Sequence, residues 1–292
     1  MNWKQTLFWS FSTAAIFYYF LLFGVFVFVG QEEMQLFIPE WWYIREFLFQ
    51  PGGFCAVAGQ WIIQYYRQPM SAVVLHTVLL VGCGFMVYRI LRCFSDKTYL
   101  LFLSLLPVLY LVKMSIHGEY LVDGTVGVVL MLLALSVSLK VRRAGSIAGY
   151  GIASTLFLCG LTGLLSVCYA FLYTLLALLR YKTSRQRLAA AACLIPALFI
   201  YLFSGWLGIP VPLSDGWMPE AYLEIQRLPH YYMYRVWTFF TLSIVGVVLF
   251  ARFVPVIGEK SKWMDRVALV VCLITALVSS GFACRNLGMR NA

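Results

Sequence analysis

The stretch IAGYGIASTLFLCGLTGLLSVCYAFLYTLLALLR, residues 147–180, carries no charge before its final arginine, and its reading decides the fold. A bilayer core accepts an apolar run of about 20 residues as one helix. At 34 residues this run is too long for one straight crossing and short for two full ones. Gly160, Thr162 and Gly163 sit near its middle, where a tight turn can join two helices. The expected division is therefore a helix over 147–159 and another over 164–180.

Working outward, further apolar runs fall at 7–29, 71–91, 98–117, 120–139, 188–208, 231–251 and 267–284. The whole chain, 1–292, then reads as a single transmembrane domain of nine spans, an all-α polytopic helical membrane protein. Composition agrees: 62% of residues are hydrophobic and 12% charged, against roughly 45–50% and about 25% in soluble domains. The first run follows Lys4 and covers 23 residues, too long for a signal-peptide core, with no A-x-A cleavage site after it. It is expected to remain as the first span. Eight cysteines lie mostly inside apolar runs with no CxxC pair and no metal-ligand spacing, so they read as small buried hydrophobes. The sequence names no particular cofactor and leaves metal dependence open.

The net charge of +10 sorts by side. With the N-terminus cytoplasmic and nine spans, 15 of the 22 basic residues fall on the inner face, among them Lys140, Arg142, Arg143, Arg180, Lys182, Arg185 and Arg187. Nine of the twelve acids fall on the outer face. A single crossing by 147–180 would move the Arg252 to Arg266 cluster outside and remove most of that asymmetry. The positive charge thus orients the chain in the inner membrane, with the C-terminus periplasmic, and gives no support to a nucleic-acid partner.

Two outer loops, 30–70 and 209–230, are more than connectors. The first holds the aromatic stretches Trp41 to Phe49 and Phe54 to Tyr66 around Pro51-Gly52-Gly53. These read as interfacial helices, with Trp41, Trp42, Tyr43, Trp61, Tyr65 and Tyr66 as an aromatic belt. The second could cap the outer mouth of a cavity. No phosphate-binding glycine loop, dinucleotide fingerprint, zinc-protease or serine-hydrolase motif is present. The Gly145–Gly149 spacing is a helix-packing signature.

Ionisable groups near the membrane boundary are the candidates for chemistry. Lys113 and His117 are four apart and share a helix face, and Asp123 is expected across the hairpin from Lys113. That cluster is either an ion pair closing a short turn or a functional polar site. Glu32 and Glu33 follow the first span; they are solvated loop acids, or one of them deprotonates an acceptor or holds a divalent cation. His76 reads as a satisfied helix-contact residue. Arg67 and Arg235 are expected to snorkel to the outer interface.

The segment Glu33-Met34-Gln35-Leu36-Phe37, then Pro51-Gly52-Gly53-Phe54, then Gln60 to Pro69 around Gln64-Tyr65-Tyr66, resembles a family of multi-pass inner-membrane proteins from Bacteroidota to which no activity is assigned. Longer members carry a soluble helical-repeat-like region after the membrane part. The resemblance implies a membrane anchor or scaffold for such a periplasmic region and its partners. In architecture the chain is also similar to membrane glycosyltransferases of the GT-C type, which place an acidic residue and interfacial helices after the first span. That similarity implies Glu33 or Glu32 as base, Asp123 or Glu119 as an assisting group, and Lys113, His117, Arg227, His230 or Arg235 at a phosphate. Its implied partners are membrane lipid and a polyprenyl-phosphate-linked sugar.

Overall fold

A computed structural model describes residues 3–34, 37–95, 98–117, 120–203 and 228–253. Every regular element among them is helical. They fall into two compact units, one holding the described residues up to 34, from 65 to 117 and from 242 to 253, the other those from 37 to 64 and from 120 to 241.

In the first unit, α1 (Trp3–Phe23) and α2 (Val25–Met34) divide the first apolar run at Gly24. Backbone bonds from Gly24 to Phe20 O and from Phe28 to Gly24 O carry the helical pattern across the break. A Cβ on Gly24 would lie 2.8 Å from the Phe28 ring, so the absent side chain is what lets that ring fold back. α5 (Pro69–Leu91) starts on a proline at its first position, where the missing N–H has no helical partner to lose. It packs against α1, α2 and α6 (Leu100–Ser115). Gly84 of α5 receives the Trp9 ring, and Gln5 Nε2 donates to Tyr88 Oη at 2.9 Å.

The second unit holds α3 (Trp41–Leu48), α4 (Gly53–Ile63), α7 (Val122–Ser138), α8 (Ala144–Thr162), α9 (Leu165–Arg180), α10 (Ser184–Ala191) and α11 (Leu194–Leu202). α12 (Leu228–Phe253) passes from this unit into the first after Thr241. The long apolar run breaks at Gly163, whose φ of +62° suits only glycine. Gly52, at φ +85°, docks on that turn and donates its N–H to Gly160 O at 3.1 Å. At the other end Tyr181 Oη donates to Val141 O and Gln186 Nε2 to Arg142 O, both at 2.7 Å. α7, α8 and α9 therefore alternate between a glycine-turn end and a basic end. The buried hydroxyls of Thr77, Ser115, Thr155 and Thr162 donate to the carbonyl four residues back.

The nine expected spans require correction. Among the described residues, four helices are long and apolar enough to cross a membrane: Gln5–Phe23, Pro69–Leu91, Ala144–Thr162 and Ser184–Leu202. α6, α7 and α9 are apolar but stop at 16 or 17 residues, roughly 24–26 Å, against a hydrocarbon core of about 30 Å. Tight turns, which the hydropathy pattern does not weigh, end them early. The expected span at 267–284 lies outside the described residues, as does most of the loop 209–230. Gly145 and Gly149 face open space, so no contact within the described residues uses their spacing.

Candidate functional site

The α3–α4 hairpin brings the outer-loop sequence onto a carboxylate. A Cβ on Gly53 would lie 1.7 Å from Phe47 O, so only glycine lets the chain reverse there. α4 then lies along α7 through small residues. Cys55 and Gly59, one turn apart, face Gly127 and Asp123. A Cβ on Gly59 would come within 2.7–2.9 Å of Asp123 Cβ, Cα and N. Asp123 is half-buried in the first turn of α7, where a helix N-terminus favours negative charge. Its Oδ1 accepts from the Gly124 N–H at 2.7 Å.

On α7 and the α3–α4 hairpin other polar groups already have partners. Thr125 Oγ1 donates to the buried Tyr120 Oη, Tyr43 Oη donates to Gln60 Oε1 at 3.1 Å, and Gln64 Nε2 donates to Phe37 O. Burial, with the Asp123 charge adding to it, pushes the Cys55 thiol up to about 12, so it remains a neutral thiol beside Asp123. The described residues contain no group of three His, Cys, Asp or Glu able to hold a metal ion. The chemistry open to this site is that of one carboxylate accepting a proton or a hydrogen bond.

A second polar cluster lies in the first unit. Tyr66 Oη and His76 Nε2 are 2.5 Å apart, His76 stacks on Phe28 with centroids at 4.2 Å and planes at 8°, and Phe20 closes another side. His76 Nδ1 is buried and meets no hydrogen-bond partner among the described residues. Burial pushes the Tyr66 phenol up. Tyr66 thus leaves the expected aromatic belt: it is fully buried because its hydroxyl has His76 to bond and its ring has Phe28 to pack on. Trp41, Trp42 and Trp61 are exposed as a belt requires. On α3, Trp41, Trp42, Arg45, Glu46 and Phe49 line an open groove of about 390 Å³, with the Arg45 guanidinium over the Phe49 ring.

The sequence candidates divide between the units. Glu32 is half-buried on α2, and Lys113 and His117 are half-buried at and after the end of α6, all in the first unit and the latter two already engaged. Glu33 lies on α2, and His230 and Arg235 on α12, but their side chains lie outside the description, as do Arg227 and Glu119 altogether. Asp123 is the candidate whose surroundings are built in detail. Sequence reading missed Cys55 and Gly59; the signal was the small-residue pair four apart on α4, matched by Asp123 and Gly127 four apart on α7.

The model of DUF6057, a family of unknown function, matches residues 1–286. The chain belongs to the DUF6057 family. No curated protein and no solved structure matches it. Membership of DUF6057 bears out the expectation of a family without an assigned activity along almost the whole chain.

Proposed function

We propose that this DUF6057 member is a multi-pass inner-membrane protein, with a cytoplasmic N-terminus and a periplasmic C-terminus, that acts as a GT-C-like transferase on a lipid-linked sugar at the outer face. The observation that carries the reading is the Asp123 carboxylate, held half-buried under α4 at the glycine-turn end of the second unit. A charge kept at such depth is expensive for a membrane protein and marks function by default. The same hairpin carries exposed Trp41 and Trp42 on α3, as a helix lying among headgroups would.

In this reading Asp123 takes the proton from an acceptor hydroxyl as its oxygen attacks the anomeric carbon. The bond from that carbon to the lipid phosphate breaks, and polyprenyl phosphate leaves. Arg227, His230 and Arg235 are the sequence candidates for supplying charge to the departing phosphate. A scaffold role is favoured by one observation, the bond from the Gly124 N–H to Oδ1, which completes a helix start without any ligand.

The two readings separate on Asp123→Asn, which keeps shape and the Oδ1 acceptor. Loss of cellular function at unchanged protein level, with polyprenyl phosphate among the co-purifying lipids, supports the transferase. Wild-type function in Asp123→Asn and in the Glu32→Gln/Glu33→Gln double variant leaves the scaffold.

A further inference from the structure

The basic end of the second unit is built rather than merely charged. Two segments meet there, 140–143 between α7 and α8 and 181–187 from the end of α9 into the first turn of α10; two hydrogen bonds tie them to each other and two more fix the second segment internally. Tyr181 Oη reaches Val141 O, Gln186 Nε2 reaches Arg142 O, Thr183 Oγ1 holds Gln186 Oε1 at 2.6 Å, and Arg187 Nε reaches Tyr181 O at 2.8 Å. The lock uses a phenol, an amide, a hydroxyl and only one guanidinium nitrogen, so the charges stay directed outward. Lys140, Arg142, Arg143, Lys182, Arg185 and Arg187 are all exposed. Residues 124–203 contain no Asp or Glu to neutralise them. Arg180 Nη1 is buried and meets no hydrogen-bond partner among the described residues.

Apolar side chains adjoin these cations along each helix. Val137 precedes Lys140 by about one turn, Leu178 precedes the 181–187 loop, and Leu188 follows Arg187; all three are exposed, Leu188 at 76%. A fixed group of cations bordered by exposed aliphatic side chains matches a ligand with an anionic head and an apolar body. Basic pockets between membrane helices hold phospholipid head groups by this combination.

We propose that the locked loops 140–143 and 181–187 form a binding seat for an anionic phospholipid, its phosphate among Arg142, Arg143, Arg185 and Arg187 and its acyl chains against Val137, Leu178 and Leu188. A free phosphate ion would use the cations but not the aliphatic border. The seat lies at the end of the unit opposite the Asp123 carboxylate and is independent of any reaction there.

The test is native mass spectrometry of the full chain in detergent with phosphatidylglycerol and phosphatidylcholine added in equal amounts. The wild type is expected to retain phosphatidylglycerol preferentially. Arg142→Gln/Arg143→Gln/Arg185→Gln should weaken that retention about a hundredfold, near fivefold per cation. Arg89→Gln/Arg92→Gln/Arg252→Gln, which removes the same net charge from the other unit, should leave it within about twofold if retention is set by the seat and not by total charge. Gln186→Ala changes no charge but unties the loops and should weaken retention several-fold. Equal loss in both triple variants, an unaffected Gln186→Ala, or full displacement of the lipid by millimolar inorganic phosphate would each overturn the proposal. Thermal unfolding of every variant separates lost binding from lost fold.

Discussion

The two buried polar clusters solve one problem in opposite ways. In the first unit, Tyr66 Oη and His76 Nε2 bond each other and the pair is sealed by the aromatic rings of Phe20 and Phe28, with His76 Nδ1 buried and meeting no partner among the described residues. In the second, Asp123 accepts from the backbone N–H beside it, its one hydrogen bond among the described residues, and is approached by glycine, which adds no side chain of its own. A large ring fills space and leaves no room for a ligand. A bare helix surface holds a carboxylate in place and leaves the rest of it free. The comparison marks Tyr66–His76 as a packing device and Asp123 as the group with unspent capacity.

The largest expected effect breaks the glycine side of that comparison. Gly59→Ala forces a Cβ to within 2.7 Å of Asp123, and should lower stability by about 2–3 kcal/mol as overpacking does. Gly149→Ala, with nothing within 4 Å, should instead be neutral or stabilising by up to ~1 kcal/mol. Thermal unfolding in detergent compares them directly; equal shifts would show that the α4–α7 approach has no special tightness.

The aromatic side breaks more gently. Tyr66→Phe leaves His76 Nε2 buried without its partner and should cost about 1–3 kcal/mol. Tyr66→Phe/His76→Phe removes both polar groups and should recover part of that loss. A double variant as unstable as the sum of its parts would mean that the pair's mutual bond is not what stabilises it.

Cys55 sharpens the comparison through pH. Its folded thiol sits near 12 and an unfolded one near 9, so between those values only the unfolded chain gives up the proton. Stability from this residue is fully present below pH 9 and falls as pH rises toward 12, by at most ~1.4 kcal/mol per pH unit. Cys55→Ala should flatten that alkaline slope, and an unchanged slope would contradict the buried neutral thiol. The smallest stability effect belongs to Asp123→Asn, under ~1 kcal/mol, because the amide oxygen can still accept from Gly124. Its consequence should be read in function.

Much of the architecture was legible in the chain. The run 147–180, uncharged up to its final arginine, declared a helical pair, and Gly163 joins α8 to α9 in the expected neighbourhood. Residue type and hydropathy period carry that information locally. Helix lengths were less legible, since α6, α7 and α9 end at turns that hydropathy does not register. The partners of the candidate residues were hidden as well. Nothing near Asp123 in sequence announces Gly59, 64 positions earlier, and Tyr66 looks like any interfacial tyrosine until His76 is seen to face it. Such long-range pairings are fixed by tertiary packing and leave only a faint trace, here the matched small residues on α4 and α7.

The proposed two-sided bundle makes one claim on which the rest depends: the glycine-turn end, which carries Asp123, and the basic end of the second unit face opposite sides of the membrane. Gly160→Cys, where a new side chain meets open space, and Thr183→Cys, on the exposed basic loop, report the two ends. In a background with the native cysteines replaced, a membrane-impermeant maleimide should label Gly160→Cys in intact cells and Thr183→Cys only in inverted vesicles. Labelling of both positions from the same side would contradict the account.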